Sequence, residues 1–344
     1  MNRRFTNDYS EFAHPEILKA ILDAADEQNT GYGLDAHSVN AEKLILDCFG
    51  IPDGKVFFLQ GGTQTNATVL SYLLRPYEAV LSCGTGHINV HETGAVEGTG
   101  HKVFTASGTD GKLSRGDVEN AVAFNRDEHM VKIKAVYISN ATETGTVYTA
   151  AELAALREAC DRHGLYLFMD GARLGPALTS KGNDVTCEMI GRMCDVFYVG
   201  GTKNGMLFGE AVVFRDAALA ENFRHHIKNR GAMAAKGFVA GLMFERAFSD
   251  GLYFEMAKQA NRTADYIRRS IAGFTEFQGN STTNQIFVKL GKKEASELID
   301  EFCCELWSED ENSAVVRIVT SFATKEADCD ALIGFFREKG KRQP

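Results

Sequence analysis

Lys203 lies in the segment YVGGTKNGMLFGEAVVF, a glycine-rich turn between two apolar runs, VFYVG at 196–200 and AVVF at 211–214. A lysine is ordinarily hydrated at a surface. Confined among apolar neighbours or near another cation it has a lowered pKa, and its neutral amine becomes available as a nucleophile. In LYLFMDGARLG, Asp170 stands at the carboxyl end of the most apolar run, with Arg173 three residues later. Ligands of open α/β sheets bind outside such strand ends. A carboxylate entering that environment needs a cation or hydrogen bonds, or it takes up a proton, although Asp170 could equally cap the following turn. The third feature is FLQGGTQTNATVL, where Gly61, Gly62, Thr63 and Gln64 join an apolar run to a helical pattern. Free amides at a helix N-terminus form an anion site suited to a phosphate, while Gly-Gly-Thr also serves as an ordinary N-cap. Each feature alone is common in loops. In this order on successive strands they supply a phosphate cradle, a carboxylate for a ring nitrogen and a Schiff-base lysine, which are the needs of pyridoxal 5'-phosphate (PLP).

Arg317 is a separate candidate. SAVVRIVTSF alternates as a strand, and an arginine flanked by valine and isoleucine is costly to bury unless an anion meets it. The guanidinium fork suits an α-carboxylate, whose two oxygens it holds in one plane.

The elements that must position these residues follow from hydrophobic periodicity. Short apolar runs at 55–59, 79–83, 134–139, 165–169, 196–200 and 211–214 alternate with helical stretches such as 63–74 and 150–164. Alternating strand and helix implies crossover connections, hence an α/β fold with a mostly parallel central sheet covered on both faces. Beyond about residue 240 the pattern changes to long helices, a strand QIFVKL (285–290), a helix over ELIDEFCCELW, the strand SAVVRIVTSF and a last helix at 326–339. The expected division is an N-terminal segment, 1–45, packing with the small domain through the helix PEILKAILDAADEQN. A large PLP-binding domain, 46–240, and a smaller α+β C-terminal domain, 241–344, follow.

The net charge of −9 argues against nucleic-acid or anionic-membrane partners, which would need a basic face. No apolar run reaches the roughly 18–20 residues that span a bilayer. No apolar stretch follows Arg3 and Arg4, so no secretory leader is expected. The eight cysteines show no CxxC and sit mostly inside apolar segments, which fits a reduced, cytoplasmic protein. His87 and His91 have helical spacing but no third ligand nearby, so no metal site is expected.

MDGARLG, with GGTKNG following it, resembles the low-specificity threonine aldolases of the aromatic amino acid β-eliminating lyase/threonine aldolase group, which are fold type I PLP enzymes. The likeness runs nearly end to end, from NDYSEFAHPEIL through QGGTQTN, GHINVHETGA, DGARLG and GTKNG to VVRIVTSFAT. It implies that Lys203 carries the cofactor as a Schiff base and that Asp170 pairs with the protonated pyridine nitrogen. Arg173 would stand near the cofactor's 3-oxygen, and Gly62, Thr63 and Gln64 would form the phosphate turn. His87 would stack on the ring, with His91 a bystander. The likeness also implies a second active-site histidine at His129 and a substrate carboxylate bound by Arg317 and Asn7, where many relatives have serine in place of Asn7. A homodimer or homotetramer with active sites at the dimer interface is implied too. Lys228, Arg230 or Lys236 could then reach a neighbouring phosphate.

The resulting expectation is cleavage of a β-hydroxy-α-amino acid, threonine or allo-threonine, to glycine and an aldehyde, with His87, His129 or a water between them as base. The PLP motifs would equally serve β-elimination or aminotransfer. A non-catalytic module of the same fold sits poorly with Lys203, Asp170 and Arg317 occurring together. An NAD dehydrogenase lacks its GxGxxG after the first strand.

Overall fold

The computed structural model describes residues 4–340. Seven strands form the larger sheet: β1 (Lys55–Leu59), β2 (Glu78–Cys83), β3 (Lys102–Ala106), β4 (Lys132–Ser139), β5 (Tyr166–Asp170), β6 (Val196–Gly200) and β7 (Glu210–Phe214). Their spatial order is β1-β7-β6-β5-β4-β2-β3. β3, β2, β4, β5 and β6 run parallel, and β7 is antiparallel to both β6 and β1. This is the mostly parallel α/β sheet that the strand–helix alternation predicts. Both faces are covered, which is why the runs are continuously apolar rather than alternating. In β6, Phe197 and Val199 enter one core while Val196 and Tyr198 enter the other. β3 is not among the expected strands. It is an edge strand with no fully buried residue, so burial left little apolar signal in its sequence.

The crossover helices carry their own start and stop signals. Helix Ala150–His163 begins with a capping box between Thr149 and Glu152 and ends on Gly164 at φ 62°, the left-handed conformation that glycine adopts without a Cβ clash. These signals make its boundaries legible.

The smaller sheet contains β8 (Glu276–Phe277), β9 (Gln285–Gly291), β10 (Glu305–Glu309) and β11 (Ser313–Val319), antiparallel in the order β10-β11-β9-β8. Ile286, Val288, Val316 and Ile318 on one face pack against Ala264, Ile267, Ile271, Leu332 and Phe336. Helix Leu252–Ile271, about 30 Å long at 1.5 Å per residue, places Tyr253 and Met256 in the large core and Ile267 and Ile271 in the small one. Phe5 enters the small core, and its carbonyl accepts from Val319 N at 2.8 Å.

Two expectations need correction. ELIDEFCCELW is not one helix. Helix Lys292–Phe302 stops where Cys303 turns to φ 49°, and Glu305–Glu309 then pairs with β11. The edge pairing is a long-range contact that helical periodicity does not report. PEILKAILDAADEQN is helical only over Pro15–Asp23, and a second helix, Ala36–Phe49, starts at its N-cap Asp35. Among the described residues, no helix is long and apolar enough to cross a membrane.

Candidate active site

The carboxyl ends of β5 and β6 bring Asp170 and Lys203 to one cavity of about 250 Å³, which Gly62, Thr63, His87, Glu143 and Glu210 also line. Asp170 is 4% exposed. Its Oδ2 accepts from Tyr137 Oη at 2.6 Å and Asn66 Nδ2 at 3.0 Å, and its Oδ1 from Tyr198 Oη and the Ala172 amide at 3.0 Å. Burial pushes this carboxyl's pKa up. The nearby His87 and the two tyrosine hydroxyls outweigh that effect, and the group stays below its ordinary range. Asp170 is therefore a fixed, buried anion presented to the cavity. The same web continues through Asn66 Nδ2, which donates to Glu92 Oε1 at 2.7 Å, and Glu92 Oε1 meets His87 Nδ1 at 2.7 Å. Glu92 raises the pKa of His87 against the opposing effect of burial, and it takes up Nδ1, so Nε2 is the nitrogen left for proton exchange.

Lys203 is pulled below its ordinary pKa by burial first and by the Arg173 charge second, with Asp8, Glu143 and Asp170 opposing. Its ammonium lies 5.9 Å from the centre of the Tyr9 ring. The surrounding glycines are steric requirements. A Cβ on Gly200 would meet Ala172 O at 2.4 Å, and Gly205 has φ 82° with Met256 Sδ 2.3 Å from any added Cβ. The turn can pass this close to the β5 loop only without side chains. Glu210, on β7 and absent from the sequence-derived set, has its carboxyl pushed up to about 8 by burial, and its Oε2 accepts from the Gly201 amide at 3.1 Å.

Helix Gly62–Leu73 opens on Gly61 with no side-chain cap, and its first intrahelical bond runs from Thr65 N to Gly61 O at 3.0 Å. The amides of Gly62, Thr63 and Gln64 precede that bond, so they face outward as anion donors. The Gln64 side chain is used locally, accepting from Gln60 N at 3.3 Å. A Cβ on Gly61 would meet nothing within 4 Å, so the approach to these amides is open. Thr65 Oγ1, Asn66 Oδ1 and Glu92 Oε2 are buried nearby without partners. Uncapped amides, an ionised aspartate and a lysine of lowered pKa around one cavity fit PLP.

Arg173 is fully engaged on one edge by a residue the sequence reading passed over. Its Nε and Nη2 donate to Asp8 Oδ2 and Oδ1 at 2.7 and 3.1 Å, and Asn284 Nδ2 donates to Asp8 Oδ2 at 3.0 Å. Asp8 and Arg173 are both buried. Asp8→Ala would strand a buried guanidinium and is expected to cost about 3–5 kcal/mol in a urea melt. Burial raises the Asp8 pKa, but Arg173, Lys203 and the Asn284 hydrogen bond together reverse this and leave it below its usual value. The pair thus stabilises the fold above about pH 4, and that contribution is lost as pH falls through the depressed folded value. The variant's stability should accordingly fall less steeply in acid than that of the wild type.

Other expected residues lie elsewhere. His129 is exposed in a turn before β4, its amide bonded to Asp127 Oδ1 at 2.8 Å. β4 pairs with β5 so that Ser139 lies opposite Asp170. His129 is therefore at the other end of the strand, roughly 25 Å away at 3.3 Å per residue. Within one chain it cannot take a proton at this cavity, which corrects its expected role as base. Asn7 is half-buried, and its Oδ1 accepts from Tyr9 N at 3.1 Å and Ser10 Oγ at 2.9 Å, so the carbonyl end of its side chain caps a turn. Arg317 lies on the small sheet. Lys228, Arg230 and Lys236 are exposed. Among the described residues no cluster of three or more His, Cys, Asp or Glu could hold a metal ion.

Fold and site together define a fold type I pyridoxal phosphate enzyme. The chain belongs to the beta-eliminating lyase family, whose sequence profile matches residues 12–293, and it is a PLP-dependent lyase. It is 31% identical over 296 residues to a low specificity L-threonine aldolase of a Pseudomonas species, covering 85% of each chain. It is 32% identical over 272 residues to that of Pseudomonas aeruginosa, covering 78% of each. The solved threonine aldolase of Leishmania major superposes with a TM-score of 0.96 at 43% identity, over 98% of this chain and 99% of that one. A Thermus thermophilus aspartate aminotransferase, 14% identical with a TM-score of 0.73 over 98% and 91%, shares the fold alone.

Proposed function

We propose that the protein cleaves β-hydroxy-α-amino acids, threonine or allo-threonine among them, to glycine and an aldehyde. The observation that carries this reading is the placement of Asp170, Lys203 and His87 around one cavity, in a chain 43% identical to the Leishmania threonine aldolase. PLP, when bound, supplies an electron sink for the bond broken at Cα. The chain's own residues do the rest. The Gly62, Thr63 and Gln64 amides would hold the phosphate. Asp170, held ionised by four donors, would keep a proton on the ring nitrogen. Lys203, its pKa lowered by burial and by Arg173, would hold the cofactor covalently, and Arg173, anchored on Asp8 through Nε and Nη2, would stand near its 3-oxygen. His87 Nε2, or a water beside it, takes the β-hydroxyl proton while the Cα–Cβ bond breaks. A proton returned to Cα completes glycine, and the aldehyde leaves.

Arg317 binds the substrate carboxylate in this reading, with Asn7 at the turn that carries Asp8 and Tyr9. Active sites at the interface of a homodimer or homotetramer, a cytoplasmic location, and the division into 1–45, 46–240 and 241–344 belong to the same proposal. The test is to incubate the PLP-loaded protein with L-threonine, L-allo-threonine and L-serine and assay four products. Acetaldehyde and glycine in equal amounts are expected. Pyruvate and ammonia as the main products would instead mean β-elimination.

A further inference from the structure

Arg317 is placed like a residue awaiting an anion, and it already has one. β11 alternates Val316 and Ile318 into the small core, so Arg317 projects from the other face, opposite Glu305 on β10 and Phe287 on β9. That face turns toward the large sheet. Gln285 Nε2 donates to Thr142 O at 3.4 Å. The Trp307 ring lies 6.2 Å from His91, which lies 5.6 Å from His87. The guanidinium sits over Trp307 at 5.1 Å, and its Nη1 donates to Gln285 Oε1 at 3.3 Å. Its Nη2 is paired with Glu305, and its Nε is buried with no partner. The two halves of this ion pair are unequal: the arginine side chain is 9% exposed and the glutamate 41%. β10 is also the edge strand, with a register shift between Leu306 and Ser308.

We propose that Glu305 is an internal competitor for the substrate carboxylate and sets how tightly this site takes amino acids; the inference rests on Arg317 being the carboxylate-binding residue. The guanidinium is held in place by stacking and packing, whereas the glutamate can turn into water from an edge strand. An ion pair whose carboxylate stands largely in water is screened by it, while a carboxylate gripped through both Nε and Nη2 gains a two-pronged, charge-assisted contact. Exchange therefore runs toward the substrate, but the glutamate reduces the net gain. Amines without a carboxylate do not compete with Glu305.

The test compares Glu305→Gln and Glu305→Ala with wild type and Arg317→Lys. Its readouts are KM for L-threonine and, from spectral titration of the PLP-loaded protein, Kd for glycine and for an amino alcohol. Both Glu305 variants are expected to lower KM and the glycine Kd about three- to tenfold, equivalent to part or all of one charge-assisted contact, without tightening the amino alcohol. Arg317→Lys should raise KM roughly tenfold to a hundredfold. If Glu305→Gln, which keeps the side-chain shape, leaves KM unchanged or raises it while Arg317→Lys weakens binding, Glu305 does not compete, and the proposal is overturned with the Arg317 reading intact. If Arg317→Lys leaves substrate affinity unaltered, the carboxylate reading itself is lost and this proposal with it. Tightening of the amino alcohol alongside glycine would also overturn it, because competition would then not be between carboxylates.

Discussion

Asp170→Asn is expected to keep the fold and the bound cofactor yet turn over at less than about a tenth of the wild-type rate, because removing such an electrostatic partner costs several kcal/mol. The carboxylate is held by Asn66, Tyr137, Tyr198 and the Ala172 amide. Four donors around two oxygens specify an anion, and an amide places its own NH2 against one pair of them. In the proposed reading the cofactor is held by the Gly62–Gln64 amides and by Lys203, which the substitution leaves alone. The check is a paired measurement of cofactor absorbance and kcat/KM. Turnover above a tenth of wild type would show that the charge of Asp170 is not what the reaction uses.

Lys203→Ala is expected to lose about a thousandfold or more in turnover, the scale on which a covalent nucleophile and its proton-transfer role are lost together. The lysine is half-buried beside Arg173, and desolvation and that neighbouring charge both hold its pKa below the ordinary value. Borohydride reduction of the wild-type protein should fix the cofactor to Lys203, as read by peptide mass spectrometry, and the variant should carry no label. A label on another lysine, in either protein, would remove Lys203 from the chemistry.

The parallel strands and the residues at their carboxyl ends were legible because their signals are local. β5, β6 and β7 are buried on both faces, which forces continuous apolar runs. Gly200 passes against the backbone of Gly171 and Ala172, and Gly205 takes a positive φ against the Met256 side chain. Asp170 and Lys203 are the polar groups immediately beyond those runs, so locating the strand ends located the pair. β3 escaped notice for the complementary reason: an edge strand with no fully buried residue has little apolar pattern to detect.

The architecture of the large sheet and the aspartate and lysine at its strand ends are thus encoded locally, by burial and turn chemistry over a dozen residues. Which distant groups meet them depends on the folded chain. Asp8 finds Arg173 across 165 positions, and Asn66 finds Asp170 across 104; no periodicity relates residues so far apart. The fold likewise leaves His129, which the family likeness pointed to, in the turn before β4, at the far end of that strand from Asp170. Beyond Cys303 the same limit applies. The helical pattern runs on through Glu305, and only the pairing of β10 with β11 turns that glutamate toward Arg317. Local sequence specifies backbone state and burial, whereas charge pairing in a buried site depends on which strands lie side by side.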